Sequence, residues 1–188
     1  MKAKFRLLLW AGPIITAVTI GLCSLTQWAA KSIWGIDLPE QDQIQLVRQL
    51  LQVGGPLQLT VAFAQILILA PVLEELLFRL LLFRLPTRFV ERKTGLERNT
   101  NGVVMLVTVS ALAVVSSAVF SLAHYVDILK LVKLWIVEWR QFSNAFLALF
   151  FFGLAQCWLY QRTRNIVFPM INHVFFNTVN LVILLFML

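Results

Sequence analysis

Five long apolar runs, separated by short polar and basic stretches, set the pattern of this chain. The first extends from Leu7 to about Ala30, behind Lys2, Lys4 and Arg6. It is too long for the apolar core of a signal peptide, and no small-residue cleavage site closes it. The pattern predicts a retained first span. Residues 31–56 are mixed in character. Within them Ile44, Val47, Leu50 and Leu51 keep helical spacing, which predicts an amphipathic interfacial helix. Gly54-Gly55-Pro56 ends it.

The second run covers Leu57 to about Leu85 and contains Pro71, Glu74, Glu75 and Arg79. A basic segment from Arg84 to Arg98 follows, and Asn99-Thr100-Asn101-Gly102 predicts a turn. The third run is Val103 to about Tyr125, with His124 near its end. Residues 127–141 are amphipathic and are expected to lie along the membrane surface or re-enter it. The fourth run is about Phe142 to Tyr160, and the fifth is Ile166 to Leu188 with His173 inside it. No internal repeat or linker composition interrupts the series. The expectation is one membrane-embedded domain over residues 1–188, with a motif-bearing core over about 57–188. Its class is all-α and polytopic, with about five transmembrane helices plus one or two amphipathic or re-entrant helices.

Composition agrees. The chain is 60% hydrophobic and 13% charged, against roughly 45–50% and 25% in soluble domains. Intrinsic disorder is excluded, because apolar residues this dense do not stay solvated. The net charge of +7 falls mostly between the runs, and no aromatic-basic or helix-turn-helix pattern accompanies it, so nucleic acid is not an expected partner. Five spans with a cytoplasmic N-terminus put Arg84–Arg98, Arg162 and Arg164 inside and the acidic 31–56 loop outside, as the positive-inside rule asks. Cys23 and Cys157 lie within apolar runs and read as packing residues.

Ionisable and amide side chains are rare inside spans because transfer into the bilayer is unfavourable. Those singled out as candidates are Glu74, Glu75 and Arg79 in the second run, His124 in the third, and Asn172, His173 and Asn177 in the fifth. Glu75 and Arg79 are four apart, in the order that favours an ion pair. Glu74 points roughly 100° away from Glu75 around an α-helix and cannot share Arg79 equally. An unpaired carboxylate beside a paired one is a candidate general base. Phe120 and His124 share a helix face, as do His173 and Asn177. Residue 99 is midway between Glu74 and His124, so antiparallel arms on either side of the turn would bring those two to similar depth. His173 fits less simply: it is only about 12 Å from the 161–165 loop at 1.5 Å per residue. A broken helix, at Pro71 or in 127–141, would reconcile the depths.

At these residues the chain resembles the CAAX-protease and bacteriocin-processing (CPBP, or Abi) family, and within it the type II CAAX prenyl endopeptidase group. Three ordered motifs carry the resemblance: Glu74-Glu75-Leu76-Leu77-Phe78-Arg79, Phe120-Ser121-Leu122-Ala123-His124 and His173-Val174-Phe175-Phe176-Asn177. The segment from Gly153 to Pro169 is also similar to the family's approach to its third motif. One departure is Leu80, where the family often has glycine after the arginine.

The resemblance implies intramembrane hydrolysis of a peptide bond in a membrane-associated or prenylated protein. Carried over by position, it makes Glu74, His124, His173 and Asn177 catalytic. Glu74 and His124 would hold and deprotonate water, and His173 and Asn177 would stabilise the oxyanion. Glu75, Arg79 and Phe120 would support them. No cofactor is expected. If a metal takes part, the resemblance offers zinc on Glu74, His124 and His173. The expected location is a prokaryotic cytoplasmic membrane. The alternative is a non-catalytic immunity or scaffold protein on the same fold. A proton pathway is disfavoured, because the first and fourth runs carry almost no polar groups.

Overall fold

The computed structural model describes residues 2–38, 42–94, 102–124 and 144–187. Every element among them is helical: α1 (Lys2–Trp34), α2 (Asp42–Val53), α3 (Pro56–Ala64), π1 (Gln65–Leu69), α4 (Ala70–Glu74), π2 (Glu75–Arg84), α5 (Leu85–Thr94), α6 (Gly102–Ala123), α7 (Phe146–Thr163) and α8 (Val167–Phe186). The amphipathic stretch expected over 127–141 and the turn expected at residues 99–101 lie outside the described residues.

Among the described residues three helices are long and apolar enough to cross a membrane: Lys2–Trp34, Met105–Ala123 and Val167–Phe186. The chain is therefore an all-helical protein with at least three candidate spans, two fewer than the five apolar runs suggest. The two other runs take different forms. The second is divided into α3, π1, α4 and π2. The fourth forms α7, the central helix, with Ala148, Leu149, Phe152, Gly153, Gln156 and Cys157 all buried.

Local chemistry sets the helix ends near the site. Gly55 N–H donates to Gln58 Oε1 at 2.9 Å and Pro56 starts α3, a position where the missing N–H has no helical partner to lose. Pro71 interrupts the second run. It removes a backbone donor, and π-helical turns flank the short α4 that contains it. At the end of α7, Arg164 takes a left-handed φ of 53° and returns its N–H to Tyr160 O at 2.7 Å. Asn165 Oδ1 then accepts the Val167 N–H at 3.0 Å and opens α8. Lys4 Nζ donates to Thr163 O at 2.6 Å, which places a cation on the negative end of α7.

Small and hydroxyl residues bring α6 close to its neighbours, as membrane helices require. A Cβ on Gly153 of α7 would stand 2.9 Å from Ser117 Cβ of α6. Ser116 Oγ donates to Phe78 O in π2 at 2.7 Å, and Ser121 Oγ donates to Phe146 O in α7 at 2.5 Å. Phe78, Phe120, Leu149 and Phe152 fill the space between these helices, and Phe78 meets Phe120 edge-on at 5.2 Å.

The depth mismatch noted for His173 has a partial structural answer. Ile166, just before α8, packs against the buried cluster of Phe83, Cys157 and Tyr160, and so do Val109, Leu112 and Ala113 of α6. Those three α6 residues are already roughly 10–16 Å along α6 at 1.5 Å per residue. α8 thus starts beside a cluster that meets α6 at its middle turns rather than at its first.

Candidate active site

The site forms where α4 passes into π2, opposite the end of α6 and the second turn of α8. Glu75 and Arg79 are fully buried, with Arg79 Nε 3.2 Å from Glu75 Oε2. The guanidinium also stands 5.0 Å from the centroid of Phe120, a cation–π contact inside a water-poor core. The other Glu75 oxygen, Oε1, is 3.0 Å from His173 Nδ1. Gln156 Nε2 reaches the same oxygen at 3.5 Å and donates to Pro169 O at 3.1 Å. Asn172 Nδ2 donates to Gln156 Oε1 at 3.1 Å. A buried carboxylate is tolerated when it is paired and hydrogen-bonded, and Glu75 has one ion pair at Oε2 and two donors at Oε1.

Glu74 faces the two histidines instead. Its Oε2 is 3.4 Å from His124 Nε2 and 3.5 Å from His173 Nε2. The side chain of Glu74 is 19% exposed, against 11% for His124 and 3% for His173, so the carboxylate is the most accessible of the three. Partners assign the tautomers. His124 Nδ1 is 2.9 Å from Phe120 O, and a carbonyl only accepts, so that nitrogen carries hydrogen. Glu75 fixes a hydrogen on His173 Nδ1 in the same way. In neutral imidazoles both Nε2 atoms are then acceptors, and both face the Glu74 carboxylate. Glu74 Oε2 itself has no hydrogen-bond partner although it is buried. Three acceptors drawn together this closely need a donor between them, a role suited to a proton or a water molecule.

Aromatic rings enclose the cluster. Phe120 lies 4.4 Å from His124 and 5.9 Å from His173, and Phe152 lies 5.1 Å from His173. Low local polarity strengthens the electrostatic interactions at the centre.

The structure thus brings together Glu74, Glu75, Arg79, Phe120, His124 and His173. Asn177 is placed apart. Its Nδ2 donates to Ile66 O of π1 at 2.9 Å. It also lines a cavity of about 230 Å³, with Thr19, Val47, Phe176 and Asn180 among its walls. Gln156 was absent from the polar residues singled out in the sequence. It stands among apolar neighbours in the fourth run, and that setting was the available signal. The residues offered as zinc ligands meet at the cluster, yet among the described residues no group of three or more His, Cys, Asp or Glu is disposed to hold a metal ion.

Residues 56–179 match the family described as type II CAAX prenyl endopeptidase Rce1-like. That segment runs from the first residue of α3 to two residues past Asn177 and includes all three motifs. No curated protein and no solved structure matches the chain.

Proposed function

This chain belongs to the Rce1-like type II CAAX prenyl endopeptidase family, and from that premise we propose that it is an intramembrane endopeptidase acting on a membrane-associated or prenylated protein through water activated by Glu74 and His124. The observation that carries this reading is the unpartnered Glu74 Oε2 between two imidazole nitrogens at 3.4 and 3.5 Å.

In the proposed reaction a water molecule donates to Glu74 Oε2 and to His124 Nε2. Glu74 takes one proton as the water oxygen bonds to the scissile carbonyl carbon. The carbonyl oxygen becomes an oxyanion, stabilised by His173 through a hydrogen on Nε2. The C–N bond then breaks and Glu74 returns its proton to the leaving amine nitrogen. Glu75 orients the His173 imidazole from 3.0 Å at Nδ1.

The same reading takes all five apolar runs as spans of a prokaryotic cytoplasmic membrane, with the N-terminus inside. The contact of Lys4 with Thr163 O and the approach of Arg84 to the Tyr160 ring, 5.9 Å, support it. They gather basic residues at one end of the bundle.

The test is cleavage of a fluorogenic farnesylated peptide by purified protein in liposomes. Glu74→Gln and His124→Ala are expected to abolish turnover while inserting normally. Turnover retained in Glu74→Gln would overturn the assignment. Stoichiometric zinc that leaves together with activity would overturn the metal-free form of the mechanism.

A further inference from the structure

Asn177 stands one helical turn beyond His173 on the same face of α8, and its amide is engaged outside the cluster. In a π-turn each carbonyl accepts the N–H five residues on. Ala70 N–H bonds Gln65 O in this way. The next bond in the series would run from residue 71 to Ile66 O. Residue 71 is proline and has no N–H. Within a membrane an unmatched carbonyl is strongly unfavourable and must find a partner in the protein. Asn177 Nδ2 supplies it, at 2.9 Å.

We infer that Asn177 is a positioning residue that holds His173 in place by satisfying the Ile66 carbonyl left bare by Pro71. Two bonds then clamp α8 to the second apolar segment on either side of the proline. Asn177 to Ile66 O is one, and His173 Nδ1 to Glu75 Oε1, at 3.0 Å, is the other. Because the two residues are four apart on one helix, a slip at Asn177 moves His173 against both carboxylates. Proline at position 71 and an amide at position 177 form one unit, in which each residue makes sense only with the other. The activity part of this inference rests on the peptidase reading above, whereas the clamp itself does not.

A double-mutant cycle tests it, comparing wild type, Asn177→Ala, Pro71→Ala and the double variant in the same liposomes. Cleavage rate and melting temperature are both read. Residue 71 as alanine regains an N–H, so the backbone can satisfy Ile66 O without Asn177. Pro71→Ala is expected to cleave within about threefold of wild type. Asn177→Ala is expected to lose roughly 10²-fold in rate and to melt lower. Adding Pro71→Ala should restore both, the rate to within about tenfold of wild type.

An oxyanion donor behaves differently, since its removal costs about 10²–10³ in rate whatever stands at position 71. A double variant that melts like wild type but is as inactive as Asn177→Ala would overturn the inference. The amide's second N–H would then serve the oxyanion. If Asn177→Ala does not insert, the pair Pro71→Ala and Pro71→Ala/Asn177→Ala decides. Near-equal rates support the clamp, and a loss of about a hundredfold between them overturns it. If wild type itself cleaves nothing, the peptidase reading has failed on its own. Recovery of the melting temperature in the double variant would still support the clamp, and its absence would overturn it.

Discussion

Replacing Arg79 with methionine removes the guanidinium paired with Glu75 while keeping a flexible apolar side chain in the space. Both partners are completely buried, with Arg79 Nε 3.2 Å from Glu75 Oε2. Breaking one side of such a pair typically costs about 3–5 kcal/mol, because the remaining charge stays buried. Loss of the contact with the Phe120 ring adds roughly 0.5–2 kcal/mol. The His173 and Gln156 donors on Glu75 Oε1 remain and hold the total toward the lower end. For a chain of this size about 1 kcal/mol shifts the melting temperature by roughly 2–4 °C. Arg79→Met is thus expected to melt roughly 7–20 °C below wild type in the same detergent.

The decisive comparison is the double variant Glu75→Gln/Arg79→Met. It removes the orphaned charge and leaves an amide oxygen in place to accept from His173 Nδ1. It should recover more than half of the lost stability while cleaving far more slowly than wild type, since the imidazole loses its anionic support. Thermal unfolding followed by tryptophan fluorescence, with cleavage measured on the same preparations, reads both quantities. An Arg79→Met variant that melts like wild type, or a double variant no more stable than the single, would refute the view that Glu75 and Arg79 form a charge-compensated unit.

Two other expectations follow from the packing and the amide chain. Gly153→Ala places a methyl group 2.9 Å from Ser117 Cβ and 3.0 Å from Ser117 Cα; the forced separation of α6 and α7 should cost about 1–3 kcal/mol, part of it regained with Ser117→Gly, as a melting series would show. Gln156→Leu leaves Pro169 O and Asn172 Nδ2 without their partner. It should destabilise by about 1–3 kcal/mol and lower the cleavage rate. A Gln156→Leu protein with normal melting and normal turnover would show that the amide chain does not support Glu75.

Much of the site was visible in the sequence because membranes make polar residues conspicuous. Glu74, Glu75, Arg79, His124 and His173 stood out against apolar neighbours, and the same residues meet in the structure. Glu74 and His124, equally distant in sequence from residue 99, also lie side by side. What stayed hidden depended on tertiary partners. Pro71 announced a break, but which carbonyl it would leave bare depended on the π-turn before it, and the partner of that carbonyl is 111 residues away. Gln156 carried no motif of its own, and its links to Glu75, Pro169 and Asn172 appear only in the folded chain. The start of α8 beside a cluster that meets the middle of α6 was likewise invisible, because span counting does not say which turns pack together. Helix length and composition identify three candidate spans among the described residues, while the second run is divided around Pro71 into α3, π1, α4 and π2.

The most direct test of the central claim compares new protein termini in host membranes that carry wild-type protein or Glu74→Gln at matched levels. The account predicts a set of carboxyl-terminal truncations of membrane-associated proteins that appears with wild type and is absent with Glu74→Gln. Identical terminus profiles, with both proteins folded and inserted, would contradict it and leave the clustered carboxylates and imidazoles as the core of a non-catalytic membrane scaffold.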